Sequence, residues 1–201
     1  MRSSKRLSPG DARTKRHVWR LTIRLAGVMP IVWRTILVRP DTKLAMLHRY
    51  AQAAMGWREC HAFAFTIDGR TYGIPDREWA DAPKTYDARR YTLERLFSTF
   101  PARFDYVYDF GDYWQHLIEI EGVEEPEFRK QYPVCIAGAE PCPPEDCGGP
   151  GGYREFLAVL NEGSHPQHAD WSAWAKGQQY RRDFRPETAT WTMRDVQRGY
   201  I

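Results

Sequence analysis

From Val18 onward the chain alternates. Val18, Arg20, Thr22 and Arg24 interleave with Trp19, Leu21, Ile23 and Leu25, the period of two that an amphipathic strand produces. Met29-Pro30 interrupts this run, and Val32 to Val38 predicts a second strand ending at Pro40, because proline brings no ladder donor. The two strands are expected to pair as a hairpin. The period then lengthens. Leu44, Leu47, Ala51, Ala54 and Met55 recur at helical spacing, with His48 inside the same stripe, so an amphipathic helix follows. Asp41-Thr42 supplies its N-cap and Gly56 its C′ residue. A third strand from Cys60 to Ile67 closes on an Asp68-Gly69 turn. Residues 73–91 read as a polar surface excursion, after which Thr92 caps a short helix from Leu93 to Phe97.

The second half holds another hairpin, Phe104 to Phe110 and Trp114 to Ile120. With Gly111-Asp112 as a two-residue turn, Phe110 faces Tyr113 and Asp109 faces Trp114. Phe104, Tyr106, Tyr108 and Phe110 then share one face, and Asp109, Trp114, His116, Ile118 and Ile120 share the other. Tyr132 to Ile136 predicts a short edge strand. Helices are expected at Tyr153 to Leu160, Pro166 to Trp174 and Met193 to Arg198. Strands first and helices gathered late argue for one α+β domain over residues 17–201: a mixed or antiparallel sheet of hairpins, packed by helices, with a helical C-terminal part.

Composition changes this picture in two ways. Apolar residues make up 42% of the 201, but eight tryptophans, eleven tyrosines and nine phenylalanines give the core large buried surfaces. Charge is unevenly distributed. Residues 1–20 carry seven basic groups and one acid, whereas residues 105–147 carry two basic groups and eleven acids. Residues 1–16 show no periodicity and read as a basic disordered tail, with weak nucleic-acid contact as the partner it suggests. The acidic block repels phosphate unless a cation intervenes. No run reaches the roughly 18 apolar residues of a membrane span, and the basic start lacks the apolar stretch of a secretory signal. A cytoplasmic protein without membrane contact is expected. Four cysteines at uneven spacing do not form a disulfide scaffold.

Two segments concentrate chemistry: Tyr108-Asp109-Phe110-Gly111-Asp112-Tyr113-Trp114-Gln115-His116, and Cys142-Pro-Pro-Glu145-Asp146-Cys147-Gly-Gly. Cys142 and Cys147 can hold a metal, zinc being the ion their chemistry suggests, although the C-x₄-C spacing is wider than in most zinc sites. The alternative is a rigid loop with buried thiols. Asp109, Asp112 and His116 suit an acid/base or hard-cation site. The structural alternative is that Asp112 and Asp109 serve only the turn and that His116 only satisfies a buried contact. His48 and His61 read first as core histidines. The Gly148–Gly152 run lacks a Walker lysine and is taken as a helix start.

With these motifs the chain resembles the plasmid pRiA4b ORF-3-like family. The matching stretches are Ile31-Val-Trp33-Arg34, Thr42-Lys-Leu44 with Leu47-His48, Ala54-Met55-Gly56-Trp57 with His61, the Tyr108–Asp112 motif with Trp114 and His116, and Cys142–Pro150 with Tyr153. The resemblance implies an α+β domain, an association with plasmids and mobile elements, and no established activity. Phe63 stands where such proteins often carry a second histidine. A recombinase reading fails on chemistry: Ser3 and Ser4 lie in the tail, and no Arg-His-Arg-Tyr set is present.

The leading expectation is an accessory protein of mobile DNA. Its pocket gathers Cys142, Cys147, His116, His61 and His48 as metal ligands, with Asp109, Asp112 and His116 as candidate catalytic groups. One alternative is a metal-dependent hydrolase or phosphoryl-transfer enzyme, in which the aspartates hold the cation and His116 is the base. The other is a purely structural protein–protein module.

Overall fold

The apolar stripes assemble into one eight-stranded sheet with helices packed on one face. The computed structural model describes residues 17–75 and 84–200; the basic tail expected at residues 1–16, and with it the nucleic-acid contact, lies outside the described residues. The strands are β1 (Val18–Leu25), β2 (Trp33–Val38), β3 (Phe63–Ile67), β4 (Arg70–Gly73), β5 (Thr85–Asp87), β6 (Ala102–Tyr108), β7 (Trp114–Glu124) and β8 (Val134–Ala139). Their order is β5-β4-β3-β6-β7-β1-β2-β8. Every pairing is antiparallel except β4 with β5, so the sheet is mixed. The helices are α1 (Leu44–Met55), α2 (Leu93–Leu96), α3 (Gly149–Asn161), α4 (His168–Gly177) and α5 (Pro186–Arg198). The architecture is single-domain α+β, and no helix among the described residues is long and apolar enough to cross a membrane.

The β1–β2 hairpin and the edge position of β8 follow the hydrophobic pattern. On the covered face, Leu21, Ile23, Ile36, Val38, Ile118 and Ile120 are fully or almost fully buried beneath Leu44, Leu47 and Ala51 of α1. Helix α5 packs on α1 and β8. The other face carries arginines opposite the acidic block: Arg20 pairs with Glu124, and Arg24 and Arg103 both reach Glu119. Sheet pairing thus brings together charges that the linear sequence separates.

Two expectations are corrected. Helix α1 does not begin on an Asp41-Thr42 cap. Lys43 occupies the N-cap position without a side-chain bond, and the Leu44 N–H donates instead to the Tyr91 carbonyl at 2.9 Å. A neighbouring backbone satisfies the orphan donor that a side chain usually serves. At the other end Gly56 does sit at C′, with φ 103°, a left-handed conformation natural to glycine.

The second correction concerns the β6–β7 register. The turn is not two residues but the segment 109–113, with Asp109 and Tyr113 both at positive φ, 57° and 55°. Tyr108, not Asp109, therefore faces Trp114, and Tyr106 faces His116. A one-residue slip exchanges the faces of a strand. Phe104, Tyr106 and Tyr108 consequently lie on the same buried face as Trp114, His116, Ile118 and Ile120, while Phe110 leaves the ladder and is 57% exposed.

This register predicts unequal substitutions. The Tyr106 hydroxyl accepts from Gln52 at 2.9 Å and lies 2.7 Å from His48 Nδ1. Tyr106→Phe should lower unfolding free energy by about 1–3 kcal/mol, because it strands buried polar partners. Phe110→Ala should stay within about 0.5 kcal/mol of the parent. Urea denaturation of the two variants checks this, and equal losses would refute the register.

Candidate functional site

The segment entering β3, the β6–β7 loop and the loop between β8 and α3 meet at one corner. The Asp109 N–H donates to the Ala62 carbonyl at 2.9 Å, and Asp109 Oδ1 accepts the Gly111 N–H at 2.9 Å. This local bond explains why the aspartate leaves the ladder. Its free oxygen, Oδ2, lies 3.7 Å from His61 Nε2. Asp146 brings Oδ1 to 3.1 Å from the same nitrogen. Among the described residues, His61, Asp109 and Asp146 are the one group of three metal-ligating side chains whose donor atoms all lie within 4.8 Å of one another.

Burial is graded across this trio. The side chains of Asp109, His61 and Asp146 are 10%, 30% and 65% exposed, so the cluster is closed behind and open in front. The Nε2 atom is itself buried and makes no hydrogen bond despite its two close carboxylates, since neither meets it in hydrogen-bonding geometry. His61 also forms part of the wall of a cleft of about 750 Å³ with Phe63, Phe110 and Met46.

The β8–α3 loop is held by buried polar groups. Glu145, only 4% exposed, accepts the Arg58 N–H at 2.8 Å and the Tyr108 O–H at 3.1 Å. Tyr108 in turn accepts the Cys60 N–H, and burial beside the Glu145 carboxylate pushes its phenol far up. Trp57 donates to the Pro143 carbonyl at 2.9 Å. Asp112 Oδ2 accepts the Gly148 N–H at 3.1 Å, tying the hairpin loop to the start of α3. At Gly152 a Cβ would stand 1.9 Å from the Cys147 carbonyl oxygen, so a glycine is required for the loop to close on the helix.

The other expected site residues lie elsewhere. His116 is fully buried; its Nδ1 is 3.3 Å from the Tyr106 carbonyl, its ring packs edge-on to Trp57, and burial draws its pKa down to about 4. His48 stacks on Phe63 at 3.7 Å and is drawn down to about 3, again by burial first and then by the Arg49 charge. Cys142 and Cys147 are free thiols. Burial pushes Cys147 up to about 12 and Cys142 higher still. Asp112 acts as a loop acceptor. The structure brings His61 and Asp109 together and leaves His48, His116 and the thiols outside the cluster. Asp146 is the member of this cluster that sequence reasoning passed over, although the acidic pair between the two cysteines was its signal.

The profile of the family described as plasmid pRiA4b ORF-3-like protein matches residues 17–190. The uncharacterized protein y4hQ of Sinorhizobium fredii is 40% identical over 164 residues, which is 81% of this chain and 83% of that protein. A crystal structure of a protein of unknown function, MM3350 from Methanosarcina mazei Go1, superposes with a TM-score of 0.76 at 28% identity. That match covers 85% of this chain and 96% of the other. The chain belongs to the plasmid pRiA4b ORF-3-like family.

The two core histidines generate a pH dependence. Their folded pKa values lie below the ordinary 6.5, so the unfolded chain binds protons more readily. Their contribution is complete above pH 6.5 and is lost as pH falls toward 4 and then 3. Linkage gives a loss on the order of 3 kcal/mol between pH 7 and pH 5 for the pair. Denaturation curves at the two pH values should show this, with a shallower dependence in His116→Phe. An unchanged slope would mean that His116 is not held neutral.

Proposed function

We propose that this member of the plasmid pRiA4b ORF-3-like family binds a divalent metal ion through His61 Nε2, Asp109 Oδ2 and Asp146 Oδ1. The observation that carries this reading is the orphaned His61 nitrogen, buried and flanked by two carboxylates at 3.1 and 3.7 Å, yet without a hydrogen bond. Those separations suit ligands that converge on one ion at about 2.0–2.2 Å from each. One imidazole and two carboxylates favour zinc or manganese over a thiophilic ion. Asp109 is fixed by its bond to Gly111, and Asp146 is carried by the loop that Glu145 anchors. The competing arrangement is an imidazolium–carboxylate pair built from the same atoms, which takes up no metal.

Three protein ligands on a site open to solvent leave coordination positions free for water or a ligand. That opening favours, as a second reading, the metal-dependent hydrolase or phosphoryl-transfer enzyme, in which the ion activates water. His116 is not the base in such a reaction, because it lies in the core away from the cluster. In the first reading the same open position receives a ligand without turnover, as befits an accessory protein of mobile DNA.

Calorimetric titration of tag-free, chelator-treated protein with zinc chloride and with manganese chloride tests the site. One ion per chain is expected. His61→Ala and Asp109→Asn should weaken binding by more than roughly 100-fold, beyond the usual effect of an outer-shell change. The Cys142→Ser/Cys147→Ser variant should bind like the parent. No uptake, or uptake that depends on the thiols and survives His61→Ala, would overturn the proposal.

A further inference from the structure

Asp146 also lines a second concavity, of about 340 Å³, together with Cys147, Asp170, Trp171 and Trp174. The indoles of Trp171 and Trp174 stand 5.9 Å apart with their planes at 73°, forming two walls of a corner. Both are only half-buried, yet both pack against Phe156, at 5.7 and 5.6 Å, which holds the walls from behind. Phe156 is itself fully buried and also meets Tyr180. The corner is therefore preformed, and a ligand does not have to order it.

The charge lining this corner has one sign. Asp146 and Asp170 are its two ionisable carboxyl side chains, no lysine or arginine contributes to it, and the Asp170 carboxylate makes no ion pair or hydrogen bond with the described residues. Aromatic faces attract cations through their quadrupole, and tryptophan does so most strongly. Nucleobase stacking would use the same indoles, but the two carboxylates would repel the phosphates that accompany it. We infer that the Trp171–Trp174 corner binds the ammonium group of a small organic cation, with the indoles against its alkyl substituents and Asp170 and Asp146 supplying the countercharge.

The inference stands apart from the metal site, because Asp170 and both tryptophans lie outside the His61–Asp109–Asp146 cluster. Asp146 is shared, so the tests avoid it. Choline is the probe, and 3,3-dimethylbutan-1-ol, in which carbon replaces the quaternary nitrogen, is its neutral counterpart. Binding is read from the indole N–H resonances of Trp171 and Trp174 at matched ionic strength. Choline should saturate the shifts and bind roughly 5- to 10-fold more tightly than the alcohol, as a cation–π contact plus a nearby carboxylate implies. Asp170→Asn, an exposed substitution, should weaken choline several-fold and leave the alcohol unchanged. In chelator-treated protein, where no metal competes, Asp109→Asn should leave choline binding intact. Equal affinity for the two compounds, no saturation with choline, or indifference to Asp170→Asn would overturn the inference.

Discussion

A buried charge must be met by hydrogen bonds or it drives the fold apart, and two such charges fasten the segment between β8 and α3. At its start, the Arg34 guanidinium, 1% exposed, donates to the carbonyls of Ala139 at 2.7 Å and Glu140 at 2.9 Å, and also to Ala54 at the end of α1. Phe184 covers its face at 3.7 Å. Near the end of the segment, Glu145 accepts from Arg58 and Tyr108. The two charges do not pair with each other. Each is satisfied by groups in fixed positions, so each specifies where the segment runs. Burial works against the charged form of Arg34 and draws its pKa down, and four carbonyl acceptors, that of Trp33 included, and an aromatic face offset that penalty.

Everything at the candidate site depends on this fastening. Asp146 follows Glu145 directly, so the carboxylate that reaches His61 is placed by the one that never leaves the core. Tyr108 serves both sides: its hydroxyl meets Glu145, and the next residue, Asp109, turns out of the sheet to face His61. Of the motif residues, Trp57, His61 and Glu145 all meet Tyr108, while Arg34 and Asp112 hold the two ends of the same segment. Their spacing in sequence, up to more than a hundred residues, reflects the sheet order, in which β6 and β7 lie between β3 and β1.

Much of the fold was legible in the chain because burial imposes period. β1, β2 and α1 read correctly from alternation and the helical stripe, and Gly56 marked the helix end. The β6–β7 register was not legible. Glycine beside aspartate signals a tight turn, whereas the actual turn is set by an Asp109 side chain that bonds Gly111 and takes a positive φ, a choice invisible to periodicity. The site was half legible. His61 and Asp109 stood out by residue type, but proximity to Asp146 arises from Glu145 and Tyr108 meeting across the core. His116 and His48 drew attention as imidazoles, and nothing local distinguishes a ligand from a histidine whose nitrogen serves a carbonyl or a tyrosine. Cys142 and Cys147 stood out in the same way, since their spacing suits a metal loop; both are free thiols outside the His61 cluster.

The shared position of Asp146 ties the two proposed ligands together. It belongs to the His61 cluster and also lines the tryptophan corner. A metal ion held by Asp146 neutralises one of the two carboxylates facing the corner and adds positive charge behind it. An ammonium group there, in turn, competes for the same oxygen atoms. Because coupling between two binding equilibria is reciprocal, each ligand must weaken the other by the same factor. The side chain is 65% exposed, so solvent screens much of the interaction and the antagonism is modest. Asp170, outside the cluster, keeps the corner attractive to cations when the metal is present. If both proposals hold, the arrangement would respond to metal by grading its affinity for an organic cation, not by switching it off.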